Sequence, residues 1–331
     1  MTQELETKVK QALKLLQSCS RSAGKPLEIA YSGGKDSDVI LELAKMAGIS
    51  YRAIYKNTTI DPPGTIKHVK ENGVEIRRPA KNFFQLMAEH GYPNKNYRFC
   101  CNILKEYKIS DNVVMGIRRC ESTKRKNRYS EPTACRFYGS KKNHANAICP
   151  ILFWTDEDEL EFIEARGIKL HLLYYREDGT IDITRRLGCM CCPLRSTNKR
   201  LEDFRERPKM FNIWLKIGWG YLATHPTGEP AKKYGDVYEW LYSELFYKAW
   251  KNWKTGFFKD EKIDFKQLLY NKLNKTTNYG KQQLLPSVLS HNPTLVREQL
   301  IPIVKLVDAI IQEEKPAILR PDSEEGKEDK A

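Results

Sequence analysis

The stretch "LEIAYSGGKDSDVILELAKMAG", Leu27 to Gly48, constrains this chain more than any other. Leu27 to Tyr31 reads as a short buried strand. From Asp36 the apolar positions Val39, Ile40, Leu43, Ala44 and Ala47 recur at helical spacing, and Gly48 ends the helix. Ser32-Gly33-Gly34-Lys35-Asp36-Ser37 is therefore a strand-to-helix turn. Its glycines allow positive φ and close backbone approach. The first-turn amides then point at whatever sits above the strand, an arrangement that binds phosphate or pyrophosphate. The Walker spacing G-x-x-x-x-G-K-[ST] is absent. Taken as six residues alone, an ordinary glycine turn with a Ser or Asp cap reads equally well.

Further strands follow in α/β rhythm at "YRAIYKN" (51–57), "GVEIRRP" (73–79), "NVVMGIR" (112–118) and "ICPIL" (148–152). They predict an α/β fold, a mostly parallel sheet sandwiched by helices, with ligands at the carboxyl ends of its strands. The opening "MTQELETKVKQALKLLQS" predicts an amphipathic helix with Leu5, Val9, Leu13 and Leu16 on one face. The 331 residues divide into that N-terminal helix (1–26), the sheet domain (27–195), an aromatic-rich helical extension (196–320) and a disordered acidic tail (321–331). Two final helices are expected within 287–314. No apolar run approaches the roughly 20 residues of a membrane helix, and the start shows no signal-peptide apolar region. A cytoplasmic location without a membrane partner is expected.

The formal net charge is +14, and the acidic tail leaves the rest more basic still. Such a body suits a polyanionic partner or a phosphorylated small molecule, or serves solubility. Arg118 to His144 holds nine Lys/Arg against two Glu, with Tyr129, Phe137 and Tyr138 interspersed. That pattern fits a nucleic-acid backbone with rings on unpaired bases, or a mobile solvated loop over Lys124 to Arg128. The Lys-aromatic interleave at 248–258 offers the same choice between a stacking platform and core.

Nine cysteines stand at 19, 100, 101, 120, 135, 149, 189, 191 and 192. Clustered cysteines in a reducing compartment suggest metal or redox chemistry more than disulfides. Buried free thiols are the plain alternative. Cys135, His144 and Cys149 form a weaker candidate for a second small metal site.

The S-G-G-x-D-S turn resembles the PP-loop of the adenine nucleotide α-hydrolase superfamily. Several later segments resemble phosphoadenosine phosphosulfate (PAPS) reductases: "NTTIDPPGTIKHVKE", "GYPNKNYRFCCNILKEYKI" with Arg98, Cys100, Cys101 and Lys105, "VVMGIRRCESTKR", "CPILFWTDEDELEFIEARGI", and "LLYYREDGTIDITRRLGCMCCPL". They run in order from about Leu27 to Leu194. The family usually has Pro-Glu-Thr where this chain has Pro63-Gly64-Thr65. The resemblance implies an adenine-nucleotide site at Ser32, Gly33, Gly34, Asp36, Ser37, Thr58, Gly116, Arg118 and Glu121. Thr58 would lie at the adenine edge, and Arg118 on the phosphates, ordered by Glu121. Lys35, Asp36 and Arg118 would be catalytic. Cys100, Cys101, Cys189 and Cys192 are similar to the 4Fe-4S ligand set of adenylyl-sulfate (APS) reductases, with zinc as the alternative and Cys191 as rival to Cys192.

The family's reductases carry a nucleophilic cysteine in a Glu-Cys-Gly-(Ile/Leu)-His motif near the C-terminus. This sequence has no cysteine after Cys192. Cys120, among arginines expected to lower its pKa, is the best-placed substitute. The expected function is therefore ATP use, with Mg, to adenylate an acceptor and transfer sulfur, as in the DNA and tRNA sulfur-modifying relatives. Expected partners are DNA or tRNA and a sulfur-donor protein. The alternatives are a PAPS or APS reductase releasing sulfite, and a non-enzymatic nucleotide-binding or DNA-associated regulator.

Overall fold

The structure is a computed structural model and describes residues 1–138, 140–256 and 262–274. The expected final helices and acidic tail lie outside the described residues. Six strands form one sheet: β1 (Leu27–Tyr31), β2 (Tyr51–Lys56), β3 (Glu75–Arg77), β4 (Asn112–Val114), β5 (Thr133–Tyr138) and β6 (Ser140–Ile148), in the order β3-β2-β1-β4-β6-β5. All neighbours are parallel except β5, which runs antiparallel to β6 at the edge. The α/β reading holds.

Helices α1 (Gln3–Ala23), α2 (Lys35–Met46), α3 (Thr65–Glu71), α4 (Phe83–His90), α5 (Phe99–Leu104), α6 (Thr123–Arg128) and α7 (Asp156–Arg166) accompany the sheet. On α1 the buried stripe is Leu5, Val9, Ala12 and Leu16, with Leu13 only half-buried. It packs on Val39, Ile40 and Leu43 of α2 and on Leu27 and Ile29 of β1. Each such fully buried aliphatic side chain contributes about 1.5–3 kcal/mol.

The basic segment differs most from its expectation. Thr123–Arg128 is a helix capped by Ser122, whose side chain accepts from the Arg125 amide. Strands β5 and β6 pair as an antiparallel hairpin in which Ala145 and Ala147 face inward while Lys142, His144 and Asn146 face out. On β6 the inward members of this alternation are alanines and the outward ones polar, while β5 turns Tyr138 inward and leaves Phe137 exposed. The expected strand at 148–152 is the end of β6: Pro150 lacks an N–H for a ladder, and the chain turns there.

After residue 195 come α8 (Thr197–Glu206), α9 (Pro208–Thr224), α10 (Glu229–Lys233), α11 (Val237–Leu245), α12 (Tyr247–Thr255) and α13 (Phe265–Asn274). Their aromatics are core. Trp214 is fully buried against Phe83, Tyr92 and Phe204, and the Tyr92 hydroxyl donates to the Trp214 carbonyl at 2.7 Å. The same core takes in Phe99 and Leu104 of α5 together with Met190 and Cys191, so these helices close one side of the cysteine segment. Among the described residues, no helix is long and apolar enough to cross a membrane.

Candidate nucleotide loop and thiol cavity

The turn between β1 and α2 lies at the carboxyl edge of the sheet. Gly33 takes φ +77°, in the left-handed region that favours glycine, whereas Gly34 is extended at φ −87° and serves as the N-cap. Only one of the two glycines is thus needed for positive φ. Ser32 is exposed at the mouth, and its hydroxyl accepts from the Gly34 amide at 3.3 Å. The Ser37 hydroxyl donates to the Gly34 carbonyl at 2.6 Å. Gly116, just past β4, presses on the start of α2: a Cβ there would lie 2.8 Å from the Asp36 carbonyl oxygen. Only glycine admits that approach.

Charge is concentrated under this loop. Lys35 is buried, and its Nζ donates to Glu159 Oε2 at 2.7 Å and to Asp36 Oδ2 at 3.3 Å. Arg118, 1% exposed, donates to Asp36 at 2.7 Å and pairs with Asp156 at 2.8 Å and Glu159 at 2.9 Å. Burial opposes ionisation of Asp36, but Lys35 and Arg118 outweigh it and hold the carboxyl below its usual range. Glu159 goes the other way. Burial, and then the charge on Asp36, push it up to about 7 against the pull of the two cations. Its second oxygen, Oε1, has no partner among the described residues. Beneath the loop, Asp38 accepts from the Tyr31 hydroxyl and lies 3.0 Å from His68 Nε2.

A second pocket holds the clustered cysteines. Cys100, Cys101, Cys189, Cys191 and Cys192 line one cavity with Ile60, Phe83, Leu104 and Met190 as apolar walls, enclosing about 350 Å³ of space that is partly open to solvent. Cys100 and Cys101 share a hydrogen bond, which drives Cys100 up and brings Cys101 down to about 6. Burial raises Cys189. Lys105 is half-buried; burial works against its charge, yet the nearby Cys189 and Asp61 keep its ammonium more basic than usual. Cys191 adopts a left-handed backbone, φ 54°, with its amide on Asp203 Oδ2 at 2.7 Å and its sulfur 3.4 Å from Met210. That turns its thiol toward the helical core. Among the described residues, no three His, Cys, Asp or Glu side chains converge as for one metal ion. Cys100, Cys101, Cys189 and Cys192 line the same cavity, and four thiolates are the donor set that a four-iron cluster or a tetrahedral zinc ion takes.

Tyr174 joins the two pockets. Its buried hydroxyl accepts from the Lys35 amide at 3.2 Å and from the Leu187 amide at 3.2 Å. Leu187 packs on Gly33, and Cys189 lies two residues further on.

A profile of the phosphoadenosine phosphosulfate reductase domain matches residues 26–195. The chain belongs to this family. Two uncharacterized proteins of Methanocaldococcus jannaschii are similar to it. One is 28% identical over 247 residues, covering 69% of this chain and 48% of its own; the other is 29% identical over 231 residues, covering 65% and 53%. The chain thus spans about half the length of the curated relatives it matches. Solved structures superpose only partly. The Candida glabrata FMN adenylyltransferase, in complex with FMN and an ATP analog, gives a TM-score of 0.39 at 13% identity over 54% of this chain and 62% of that one. The Candida auris PAPS reductase, a phosphate complex, gives 0.38 at 16% over 57% and 98%. The U34-tRNA thiolase of Methanococcus maripaludis, with its [4Fe-4S] cluster, gives 0.35 at 16% over 68% and 81%.

Within this PAPS reductase domain the structure brings Ser32, Gly33, Gly34, Lys35, Asp36, Ser37, Gly116 and Arg118 together. Glu121 plays a different part from the one expected. Its carboxylate accepts from the Arg118 backbone amide and pairs with Arg125 and Arg186, while the Arg118 guanidinium is ordered by Asp36, Asp156 and Glu159. Thr58 is buried in a turn with Asp61 and faces Cys189 at 3.5 Å, so its side chain lines the thiol cavity. Cys120 is exposed, 3.2 Å from Arg118, yet burial of its sulfur outweighs the arginine and raises its pKa. Cys135, His144 and Cys149 do not meet: Cys149 is buried, while Cys135 and His144 are exposed and pair across the hairpin with Asn146 and Phe137. Sequence reasoning missed Glu159, Asp156, Tyr174, Asp61 and Asp203. The "TDEDELEF" run holds four acids in one helical turn, a signal without a way to choose among them.

Proposed function

We propose that this PAPS reductase domain binds an adenine nucleotide on the Ser32–Ser37 turn and uses it, as ATP with Mg, to activate a nucleic-acid acceptor for sulfur transfer. The observation that carries this reading is the turn itself: an exposed Ser32 and the start of α2, set over cations already fixed by carboxylates. In this reading an acceptor oxygen attacks the α-phosphorus. The bond to the α–β bridging oxygen breaks, and pyrophosphate leaves with its electron pair. A sulfur nucleophile from a donor protein then displaces AMP. The helix N-terminus of α2 and the exposed Ser32 hydroxyl hold the departing pyrophosphate, the Lys35 amide exchanging its bond to Tyr174 for one to phosphate. Asp36 and Glu159 keep Lys35 and Arg118 in place beforehand, so the cations need no reorganisation as charge develops. Cys100, Cys101, Cys189 and Cys192 would hold an iron–sulfur cluster, which supplies a place to hold or deliver sulfur.

Family membership and the exposed Cys120 beside Arg118 favour a second reading, sulfite release from PAPS or APS. One experiment separates them. Anaerobically purified protein is incubated with ATP and an RNA pool, or with PAPS and thioredoxin, and pyrophosphate is scored against sulfite. The proposal expects acceptor-dependent pyrophosphate. Rapid sulfite production would replace it with the reductase reading, with Cys120 the first residue to mutate. Nucleotide binding without either product would leave a regulator.

A further inference from the structure

Resting on the nucleic-acid acceptor reading above, we propose that an unpaired nucleic-acid strand docks on a platform made by Phe153 and Arg119 and runs along α6. Phe153 is 52% exposed, whereas its neighbours Leu152 and Trp154 are buried. The Arg119 guanidinium lies 5.6 Å from the Phe153 ring centroid. Backbone holds the pair in place: the Arg119 amide donates to the Leu152 carbonyl at 2.9 Å. A ring and a guanidinium fixed beside each other at a surface form a flat face on which a base stacks, with little entropy left to lose.

The platform borders the charged site on both of its segments. Arg118 precedes Arg119, and Asp156, three residues beyond Phe153, pairs with Arg118 at 2.8 Å. A base on Phe153 thus lies next to the mouth above Asp36. From Arg119 the chain continues through Glu121 into α6, which exposes Lys124, Lys126 and Arg128 with no acid among its six residues. None of these three has a carboxylate partner among the described residues. The fold sets no acid against them, with only the Arg128 guanidinium resting 5.6 Å from the Tyr129 ring centroid, and phosphates of a strand would neutralise their charge. A duplex keeps its base faces stacked and offers none to Phe153, so the occupant is single-stranded.

The test is fluorescence anisotropy of the full chain with labelled oligouridylate, and with a duplex of equal length. The wild type is expected to prefer the single strand. Phe153→Ala is expected to weaken it roughly 5- to 100-fold, and Phe153→Trp to restore it. Lys124→Ala and Lys126→Ala are each expected to lower the slope of log K against log salt by about 0.7. Unchanged affinity in Phe153→Ala, equal binding of the duplex, or an unchanged salt slope would overturn the platform. Acceptor-dependent pyrophosphate release is followed in parallel. If RNA stimulates release with the same half-saturating concentration in wild type and Phe153→Ala, the platform fails while the acceptor reading stands. If RNA neither binds nor stimulates release in the wild type, both fail.

Discussion

The nucleotide loop and the thiol cavity lie far apart along the chain, are tied together through Tyr174, and solve opposite problems. The loop gathers charge. Lys35 and Arg118 are met by Asp36, Asp156 and Glu159, so its cations are satisfied and fixed before any ligand arrives. The cavity gathers thiols against apolar walls and keeps a half-buried cation, Lys105, near Cys189. The first suits an anion that must be gripped without rearrangement; the second suits a group bonded to sulfur and shielded from water. Tyr174 is the shared strut, with one hydroxyl serving an amide on each side. The lesson is that the two sites are chemically separate but mechanically joined.

The most drastic way to break that separation is Gly34→Val. Nucleotide binding, followed by calorimetry, should be lost entirely, because the new side chain crowds the Ser32 and Tyr174 hydroxyls at 3.4 and 3.3 Å. Bound iron should persist; its loss as well would mean that the strut transmits the damage. On the cavity side, anaerobically purified protein should be brown. Cys192→Ser should lose its iron, while Cys191→Ser, whose sulfur turns to Met210, should keep it. The reverse result would exchange the two ligands, and a colourless wild type carrying one zinc would remove the cluster.

Next in size is Glu159→Ala. It leaves Lys35 and Arg118 buried with less compensation, and should cost about 3–5 kcal/mol in chemical denaturation. Glu159 also carries a pH signature. Its folded value, pushed up to about 7, lies above the ordinary 4.5, so the folded state holds this proton longer than the unfolded chain. Its contribution is therefore full below about pH 4.5 and is lost as pH rises through about 7. Asp36, held below its usual value, acts in the opposite sense and only in more acidic solution. Glu244, also pushed up to about 7, shares the Glu159 sign. The readout is thus the difference between wild type and Glu159→Gln, in which the Glu159 part of the decline should vanish. An identical slope in both would place the titration elsewhere.

The smallest effect is expected from Tyr174→Phe, about 1–2 kcal/mol for two amides left without their acceptor. Its value is diagnostic. Nucleotide affinity and iron retention should both fall, whereas a change in only one would show that the strut serves that side alone.

Much of this was legible along the chain, because the features concerned are local. A buried strand, two glycines and a helical apolar stripe specify the β1–α2 turn from Leu27 to Gly48, and the stripe of α1 needed a change only from Leu13 to Ala12. Adjacent and C-x-x-C cysteines likewise announced a shared site. What tertiary structure decided is which distant groups meet. Glu159 reads as one of four acids at the start of α7 until the fold places it 2.7 Å from Lys35. Tyr174 reads as one of two tyrosines, and nothing along the chain foretells that Cys191 takes a left-handed backbone with its amide on Asp203. The β5–β6 hairpin was hidden because alanines mark the inward face of β6, where their small apolar surface gives weak periodicity, and because β5 exposes Phe137 and turns Arg136 partly inward. Local propensity and pattern are written residue by residue. A buried charge has its partner and its pKa set by desolvation and distance, and those exist only once the sheet has brought β1, β4 and α7 together.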